Sequence, residues 1–497
     1  MSRNTKLNHL RPIIVSNRLP VKVDEVNGVR KVLPGTGGLI TALAPVLKNN
    51  AGVWVGWPGA PVTQELRQLL TDSTPDLGFD LDIVDLSETE VQGYYRGFSN
   101  ESIWPLFHDL LDHCNFDAGH WETYQRVNYK FAAAAAFITG DDDFIWVQDY
   151  HLMMVGHFLK EMGFRDRSAF FLHIPFPPKD IFIRLPWRRE IIDALLSYRL
   201  LGFQIERDRR NFIQCVRYLK PKAAVSHHTR YPYIKHGNSL TRIGSFSISI
   251  DFSYFNQAAR SKEVSDAAWY IHERFPRQKI MLGIDRLDYT KGITHRLLAF
   301  ENCLERYPEL IEKITLVQIV VPSRTGVPEY QYMKSQIDEM VGRINSRFTR
   351  RGWVPIHYIY NTLDQVELIG YYRASEIALI TPLKDGMNLV AKEYCASCVD
   401  DIGVLILSEF AGAASSLGCG AILVNPYHLE ETADAIKTAY HMNEDQQRER
   451  MRKMRASVAK NDVFRWVDQF VNSFHFGDEK KRDQNKAETA FSGMFDR

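Results

Sequence analysis

The segment from Lys384 to Glu393 has the residue pattern of an anion-binding loop. The apolar run before it, Ile377 to Ile380, predicts a buried strand, and Asp385-Gly386 turns the chain toward a helix. Backbone N–H groups at Met387 to Val390 would then lie at the helix start, where unpaired donors and the helix dipole favour a phosphate. Glu393, one turn later, could bind the hydroxyls of a ribose. A simple helix cap formed by Asp385 accounts for the segment equally well.

Cationic side chains follow several other predicted strands: Arg18, Arg286, Lys291 and Arg324. Because parallel strands end at one edge of a sheet, these side chains predict a site for more than one phosphate, which arginine binds bidentately. The adjacent glycines Gly37 and Gly38, in the loop after the first strand, would let the backbone approach such a ligand. Taken alone, paired glycines more often form an ordinary turn.

A carboxylate and an imidazole lie at the ends of two more predicted strands. Asp149 follows the run Phe144 to Gln148, and His173 follows Ala169 to Leu172. A purely structural core would avoid such polar groups, although a single histidine at a strand end is more often a hydrogen-bonded core residue. The two residues are therefore further candidates for the chemical site.

Short apolar runs alternate with helical patterns along the chain, which predicts an α/β fold with parallel sheets. A first series comprises Pro12–Ser16, Val53–Gly56, Phe144–Gln148, Ala169–His173 and Leu200–Phe203. A second series comprises Ile280–Ile284, Thr315–Val320, Ile356–Tyr360, Ile377–Ile380, Val404–Leu407 and Ala421–Val424. Two such series predict two doubly wound domains, with ligands in the cleft at the carboxyl ends of the strands.

The domain boundary is predicted near Ser247 to Phe252. This gives an N-terminal domain of residues 1–247 and a C-terminal domain of residues 248–475. The amphipathic stretch Val463 to Phe474 should form the last helix and pack back on the N-terminal domain. Residues 476–497 are charged and poor in large apolar side chains, so we expect a disordered tail.

Composition excludes several classes of protein. The chain has 497 residues, 45% of them hydrophobic, and a formal charge of +1, so no overall field attracts nucleic acid or an anionic membrane. Neither a bilayer-spanning run nor a signal peptide is present, so we expect a cytoplasmic protein. Cys395 and Cys398 are expected to be buried thiols and not metal ligands. Asp141-Asp142-Asp143 precedes a strand, so we expect a solvated loop and not a metal-binding motif.

The order of the motifs resembles that of a known family. From about Pro12 to Phe474 the chain carries Asn17-Arg18, Gly37-Gly38, Tyr94-Tyr95-x-x-Phe98-Ser99-Asn100, Trp104-Pro105, Asp149-Tyr150-His151, His173-Ile174-Pro175-Phe176-Pro177, Arg286-Leu287-Asp288-Tyr289-x-Lys291-Gly292, Arg324, Asp385-Gly386-Met387-Asn388-Leu389-Val390-Ala391-Lys392-Glu393 and Ser408-Glu409-Phe410-Ala411-Gly412. This series is similar to the signature motifs of trehalose-6-phosphate synthases.

The resemblance implies a GT-B fold, in which two Rossmann-like doubly wound domains face a central cleft. It implies a retaining glycosyltransferase that moves glucose from a nucleotide sugar, with UDP-glucose the expected donor, to glucose 6-phosphate, giving α,α-trehalose 6-phosphate. No metal and no cofactor would be needed, because cationic side chains and a helix N-terminus stabilise the leaving diphosphate in such enzymes. The departing phosphate would itself take the acceptor proton, on the face of the sugar that it leaves.

The resemblance also implies a role for each matching residue. Arg286 and Lys291 would hold the donor diphosphate, and Glu393 the ribose. Asp385 would bind the transferred glucose, with His173 beside the reacting anomeric carbon, so the predicted catalytic set is His173, Asp385, Arg286 and Lys291. The donor site would also include Gly37, Gly38, Gly386, Met387, Asn388, Leu389 and Val390, the last two through backbone N–H groups. The acceptor site would comprise Arg18, Tyr95, Trp104, Asp149 and Arg324.

The chain departs from the family pattern at two places. Gln148 stands where the family usually carries His, and Ser247-Ile248-Ser249-Ile250-Asp251 stands where Pro-Ile-Gly-Ile-Asp is usual. The second change affects the freedom of the interdomain link more than the chemistry. The loop between Arg18 and Gly37 is also longer than in the shortest members.

Other functions remain open from the sequence. A glucosylglycerol-phosphate synthase would use glycerol 3-phosphate, although the aromatic pair Tyr95 and Trp104 with Asp149 favours a hexose. A non-catalytic sugar-phosphate sensor is the alternative from another class. The expected partners are small-molecule substrates, without nucleic acid or membrane. The nucleobase of the donor and the oligomeric state, including a homo-oligomer, are left undecided.

Overall fold

The computed structural model describes residues 10–26, 29–35, 38–226, 232–237, 239–323 and 328–475. Two predicted site residues, Gly37 and Arg324, and the predicted tail 476–497 lie outside the described residues. The chain divides into two compact units, one of residues up to Phe246 together with those from Phe464, the other Ser247–Val463. The helix that the sequence analysis gave to the end of the second domain therefore belongs, from Phe464, with the first unit.

The first unit is built on one large sheet. Its strands are β1 (Arg11–Arg18), β2 (Val21–Val26), β3 (Val29–Pro34), β4 (Val53–Trp57), β5 (Asp80–Ile83), β6 (Asp143–Gln148), β7 (Ser168–Phe171), β8 (Leu200–Phe203), β9 (Ala224–Ser226), β10 (Tyr233–His236) and β11 (Ser239–Ser245). Nine of them form a sheet in the order β5-β4-β1-β6-β7-β8-β11-β10-β9, while β2 and β3 form a separate antiparallel hairpin. The first seven strands in this spatial order, from β5 to β11, are each parallel to their neighbours, whereas β10 is antiparallel to both β11 and β9.

Helices cover both faces of a sheet whose central strands are buried. They are α1 (Gly38–Asn49), α2 (Gln64–Leu77), α3 (Glu88–Glu90), α4 (Trp104–Phe107), α5 (Ala118–Ile138), α6 (Val155–Glu161), α7 (Lys179–Phe182), α8 (Arg188–Leu195) and α9 (Glu206–Leu219), with a π-helical segment at Val91–Ile103. The last helix of the chain, Val463–His475, packs its aromatic side chains on this sheet. Phe470 stacks on Trp146 of β6 with ring centroids 4.3 Å apart, and Phe474 lies 4.4 Å from Phe144.

The second unit contains a six-stranded, wholly parallel sheet. Its strands are β12 (Lys279–Arg286), β13 (Ile314–Val321), β14 (Ile356–Tyr360), β15 (Ile377–Ile380), β16 (Val404–Ser408) and β17 (Ile422–Val424), in the order β14-β13-β12-β15-β16-β17. Its helices are α10 (Phe252–Ala258), α11 (Lys262–Glu273), α12 (Ile293–Arg306), α13 (Pro328–Phe348), α14 (Gln365–Ala374), α15 (Leu389–Ser397), α16 (Ala414–Leu417), α17 (Leu429–His441) and α18 (Glu444–Lys460). The next helix, α19 (Val463–His475), is the one that packs on the sheet of the first unit. Of the helices in the described ranges, none is long and apolar enough to cross a membrane.

The strand orders fix where ligands can bind. In the second sheet the order reverses beside β12, so β12 and β15 are neighbours whose connections leave in opposite directions. In the first sheet the same reversal lies between β1 and β6. Such a switch point opens a crevice outside the carboxyl ends of the strands, where doubly wound proteins bind their ligands.

The α/β prediction is confirmed, but the sequence analysis missed several elements. The expected loop after Arg18 is the hairpin β2–β3, and the strands β5, β9, β10 and β11 were not predicted. The strand predicted to reach His173 ends at Phe171. Of the expected solvated triplet, Asp143 is instead the first residue of β6, where Arg11 Nη2 lies 2.7 Å from its Oδ2. Cys395 and Cys398 are free, buried thiols, as predicted.

Candidate active site

A lysine–carboxylate pair occupies the switch point of the second sheet. Lys291 lies in the turn after β12, and Asp385 lies in the loop after β15. Their Nζ and Oδ2 atoms are 2.5 Å apart, and both side chains are about nine-tenths buried. Burial alone would lower the pKa of Lys291, but Asp385, Asp288 and Asp285 outweigh it, so the pKa is raised and the ammonium is kept. Arg286, the last residue of β12, is exposed beside this pair.

The two loops that carry the pair are tied to each other. The Leu383 N–H donates to the Thr290 carbonyl at 2.8 Å. Gly292 adopts φ +64°, and a Cβ there would lie 2.5 Å from the Thr381 carbonyl oxygen, so only glycine lets the two loops approach this closely. Asp288 fixes the turn by accepting from the Thr290 N–H at 3.0 Å. The spacing between Lys291 and Asp385 is therefore set by backbone contacts.

The helix α15 begins directly after the Asp385 loop. Asn388 is its cap, in the left-handed region at φ +75°, and its side chain accepts from the Ala391 N–H at 3.2 Å. Asp385 is therefore not the helix cap, and the Met387 N–H is not free as expected, because it donates to Asp385 Oδ1 at 3.3 Å. Leu389 and Val390 take the first two helical positions, where N–H groups have no acceptor within a helix. An anion in front of α15 would meet these donors.

Glu393 lies one turn further along α15 and is held by a tyrosine. The Tyr372 hydroxyl donates to Glu393 Oε2 at 2.8 Å. Burial raises the pKa of Glu393 in spite of this hydrogen bond. Tyr372 could not be predicted as part of the site, because its contact with Glu393 depends on the packing of α14 against α15.

A buried ion pair lies next to the switch point, at the end of β12. Arg296 of α12 is 1% exposed, and its Nη1 lies 2.7 Å from Asp285 Oδ2. The same guanidinium donates to Gln318 and Thr381, each at 3.2 Å. Burial raises the pKa of Asp285, and Arg296 opposes that rise. Since Asp285 precedes Arg286 on β12, this network fixes the strand end that carries Arg286.

In the first unit, Arg18 lies on aromatic rings at the end of β1. Its guanidinium carbon is 4.1 Å from the ring centre of Trp57 and 5.8 Å from that of Tyr95. Gly59 allows this position, because it has φ +89° and a Cβ there would lie 1.4 Å from Arg18 Nη1. Arg18 also lines two cavities, of about 770 Å³ and about 150 Å³.

Two other predicted acceptor residues pack on rings nearby in this unit. Tyr95 stacks on His151 with ring centroids 5.8 Å apart. Trp104 is 7% exposed and contacts Tyr150, with centroids 5.5 Å apart. The π-helical segment Val91–Ile103, which ends directly before Trp104, orients both residues.

Asp149 and His173 are joined after β6 and β7. Asp149 adopts φ +72°, an unusual conformation for a residue other than glycine, and its Oδ1 accepts from the His173 N–H at 3.1 Å. His173 Nε2 lies 2.9 Å from Oε1 of Gln148. Burial lowers the pKa of His173 to about 3, so the imidazole is neutral at physiological pH.

The structure thus forms two groups of predicted residues. Lys291 and Asp385 are in direct contact in the second unit, and Arg18 and Tyr95 are neighbours in the first. Gly38 is the first residue of α1. Trp57 was not predicted, although it ends β4 beside β1, and residues at the carboxyl ends of parallel strands are candidates for a ligand site. The contact between Gln148 and His173 was not predicted either, because it depends on the register of β6 and β7.

Each unit has a doubly wound, largely parallel sheet with cationic and carboxylate side chains at its switch point, an arrangement suited to ligands that carry phosphate. The chain belongs to glycosyltransferase family 20, whose sequence pattern matches residues 10–475. It is 40% identical over 470 residues to the trehalose-6-phosphate synthase of Mycolicibacterium gilvum, which covers 93% of each chain. It is 41% identical over 493 residues to the bifunctional trehalose-6-phosphate synthase/phosphatase of Thermoproteus tenax, covering 96% of this chain but only 65% of that protein's length.

Solved structures give the same family at lower identity. An α,α-trehalose-phosphate synthase (UDP-forming) from Burkholderia xenovorans, in complex with glucose-6-phosphate, has a TM-score of 0.84 and 33% identity. The match covers 94% of this chain and all of that chain. An E. coli structure bound with UDP-2-fluoro glucose has a TM-score of 0.83 and 34% identity, covering 94% of this chain and 99% of its own.

Proposed function

We propose that this chain transfers glucose from UDP-glucose to glucose 6-phosphate with retention of configuration, and that the products are α,α-trehalose 6-phosphate and UDP. The observation that carries the proposal is a family match that spans both units, from residue 10 to residue 475. A partial match to one unit would leave either the donor or the acceptor unidentified. Relatives solved with glucose-6-phosphate and with a UDP-glucose analogue support the same two substrates.

The second unit is proposed to bind the donor. Arg286, Lys291 and the start of α15 supply positive charge and N–H donors for a diphosphate. Negative charge grows on that diphosphate as the glycosidic bond breaks, so fixed positive groups stabilise the transition state more than the ground state. When the diphosphate shares Lys291, Asp385 becomes available to the hydroxyls of the transferred glucose. Glu393, held by Tyr372, is proposed to bind the ribose.

The first unit is proposed to bind the acceptor. Arg18 would hold the 6-phosphate, while the ring of Trp57 packs against its guanidinium group. Tyr95, Trp104 and Asp149 would line the hexose, and Arg324, outside the described residues, stays a prediction for the same phosphate. A pocket lined by the aromatic rings of Tyr95 and Trp104 suits a whole hexose ring better than the small glycerol of glycerol 3-phosphate.

The proposed chemistry needs no proton-transfer side chain. In a front-face reaction the acceptor hydroxyl attacks the anomeric carbon on the side from which the phosphate departs, and the departing phosphate oxygen takes the hydroxyl proton. A double displacement would instead need a free carboxylate on the opposite face, and Asp385 is already assigned to the hydroxyls of the transferred glucose. We further propose that catalysis is independent of a metal ion, since Arg286 and Lys291 supply the charge. Full activity in excess chelator would support this, and its loss, restored by a divalent cation, would contradict it.

The experiment that tests the function is a matrix of donors and acceptors. UDP-, GDP- and ADP-glucose are each assayed with glucose 6-phosphate and with glycerol 3-phosphate, and the product is identified by NMR. We expect UDP-glucose with glucose 6-phosphate to give the highest kcat/KM and an α,α-linked disaccharide phosphate. Preferred turnover of glycerol 3-phosphate would overturn the acceptor, and tight binding without turnover would indicate a sensor. Cytoplasmic location stays a prediction, and the oligomeric state stays undecided.

A further inference from the structure

Three neighbouring strand ends place two buried glutamines on either side of His173. The strands β6, β7 and β8 are adjacent in the sheet, and Gln148, His173 and Gln204 follow or end them in that order. Each glutamine is 1% exposed. Gln148 Oε1 lies 2.9 Å from His173 Nε2, and Gln204 Nε2 lies 3.5 Å from His173 Nδ1. The imidazole therefore has an amide at each of its nitrogens.

The polarity of these contacts selects one tautomer. Gln148 Nε2 faces the Trp146 carbonyl at 3.5 Å, so Oε1 is the atom turned to His173, and Nε2 of the ring must donate. Gln204 Nε2 also faces the His173 carbonyl at 3.5 Å, so it acts as a donor and Nδ1 of the ring accepts. A neutral imidazole with its proton on Nε2 satisfies both contacts.

The surroundings of the ring also keep it neutral. Phe171 and Trp466 pack at centroid distances of 4.7 and 6.2 Å. The nearby titratable group is Asp149, and it contacts the backbone N–H of His173. No charged side chain is among the contacts of the imidazole within the described part of the chain. Burial then lowers the pKa of His173 to about 3.

We propose that Gln148 is a positioning residue that holds His173 as the neutral, Nε2-protonated tautomer and so excludes its ring from proton transfer. A second imidazole at this position could either donate to His173 or accept from it. An amide oriented by the Trp146 carbonyl can only accept. Gln148 therefore fixes a tautomer that an imidazole in its place would leave open.

The proposal rests on the proposed function where it concerns catalysis. Its consequence is that His173 contributes shape and a fixed N–H, and that the acceptor proton goes to the departing phosphate. The tautomer itself can be measured without substrate, so a failure of this inference can be separated from a failure of the proposed function.

The first measurement is ¹⁵N NMR of histidine-labelled protein, with the His173 signals assigned by their loss in His173→Asn. We expect one pyrrole-type nitrogen at Nε2, one pyridine-type nitrogen at Nδ1 and no titration down to pH 5. A protonated Nδ1, or an imidazolium at pH 6, would overturn the proposal in the wild-type protein, whatever the variants do.

Variants of Gln148 supply the second measurement. Gln148→Leu removes the acceptor, and we expect mixed tautomers and a kcat about threefold to tenfold lower, with both KM values within about twofold, since one neutral hydrogen bond is lost. Gln148→Glu places a carboxylate at Nε2 and should raise the His173 pKa by about one to three units. Gln447→Leu is the matched control, because Gln447 is also buried but donates to the Met442 carbonyl in the second unit. Unchanged tautomer and kcat in Gln148→Leu would contradict the proposal.

Discussion

The two units hold their candidate phosphate-binding cations in different ways. In the second unit Lys291 is paired with the carboxylate of Asp385 at 2.5 Å, and Asp385 in turn receives Asn388 Nδ2 at 3.2 Å. In the first unit Arg18 lies 4.1 Å above the ring of Trp57. A carboxylate partner competes with an incoming phosphate, whereas an aromatic ring leaves the guanidinium donors available.

This difference matches the two proposed ligands. A donor diphosphate gains charge during the reaction, so a cation shared with Asp385 can move toward the phosphate as that charge grows. The acceptor phosphate keeps its charge throughout, and a preformed, stacked arginine suits it. Substitutions of Arg286 and Lys291 should therefore change kcat, and substitutions around Arg18 should change the KM of the acceptor.

The largest effect is expected for Arg286→Ala. Removing one charge contact that strengthens in the transition state should lower kcat at least about a hundredfold, or ~3 kcal/mol. Steady-state kinetics with saturating substrates measures it. Arg277→Ala is the control, because Arg277 is an exposed arginine of the same unit. A kcat within fivefold of wild type would remove Arg286 from the donor site.

Arg18→Ala should act on the acceptor. A charge-assisted contact to phosphate contributes roughly 1.5 to 3 kcal/mol, so the KM for glucose 6-phosphate should rise on the order of ten- to a hundredfold, while the KM for UDP-glucose stays within threefold. Arg324→Ala should behave in the same way. An increase in the donor KM alone would contradict the assignment of both arginines.

Trp57→Leu tests the stacking itself. A cation–π contact contributes roughly 0.5 to 2 kcal/mol, so the acceptor KM should rise about twofold to thirtyfold, less than for Arg18→Ala. Because the two residues are in contact, the double variant should show less than the sum of the two effects in free energy. Strict additivity would mean that the ring does not position Arg18.

The last prediction concerns stability, through a second buried lysine of the donor unit. Lys392 donates to the Ile248 carbonyl at 2.7 Å, and burial lowers its pKa to about 7. The unfolded chain then binds more protons than the folded chain between about pH 7 and pH 10.5, so this group makes stability rise with pH, by at most ~1.4 kcal/mol per unit. Lys392→Met should raise Tm at pH 7, and its advantage over wild type should shrink toward pH 10. A constant difference would contradict the burial of an uncompensated ammonium.

The parallel strands of the second sheet were the easiest elements to predict. Ile377–Ile380 has the predicted bounds because a strand buried on both faces is a continuous apolar run. Ile356–Tyr360 also has the predicted bounds, although it is a partly exposed edge strand. The hairpin β2–β3 was missed although Asn27-Gly28 lies between two runs of alternating residues, a strong signal for a two-residue turn. The short strand Asp80–Ile83 was missed because its alternation of polar and apolar residues covers only four positions, and its pairing with β4 makes it a strand.

The site was predictable only where backbone position determines chemistry. Arg286, Lys291 and Asp385 follow strands, so their place at a sheet edge could be derived from the order of elements. The contacts that orient the side chains of the site could not be derived from the order of elements. The Gln148–His173 hydrogen bond and the Arg296–Asp285 ion pair depend on how side chains of different elements pack together. The Asn388 cap of α15 is a local contact with Ala391, but Asp385 is an equally good cap by residue type, so the choice between them depends on the backbone conformation.

The central claim is that donor and acceptor phosphates are bound by separate cations, with Arg286 and Lys291 on the donor diphosphate and Arg18 on the acceptor phosphate. Calorimetry of UDP and of glucose 6-phosphate with wild type, Arg286→Ala and Arg18→Ala tests it most directly. We expect Arg286→Ala to weaken UDP binding at least tenfold and to leave glucose 6-phosphate binding within threefold, and Arg18→Ala to do the reverse. Loss of both ligands in each variant, or the opposite assignment, would contradict the account.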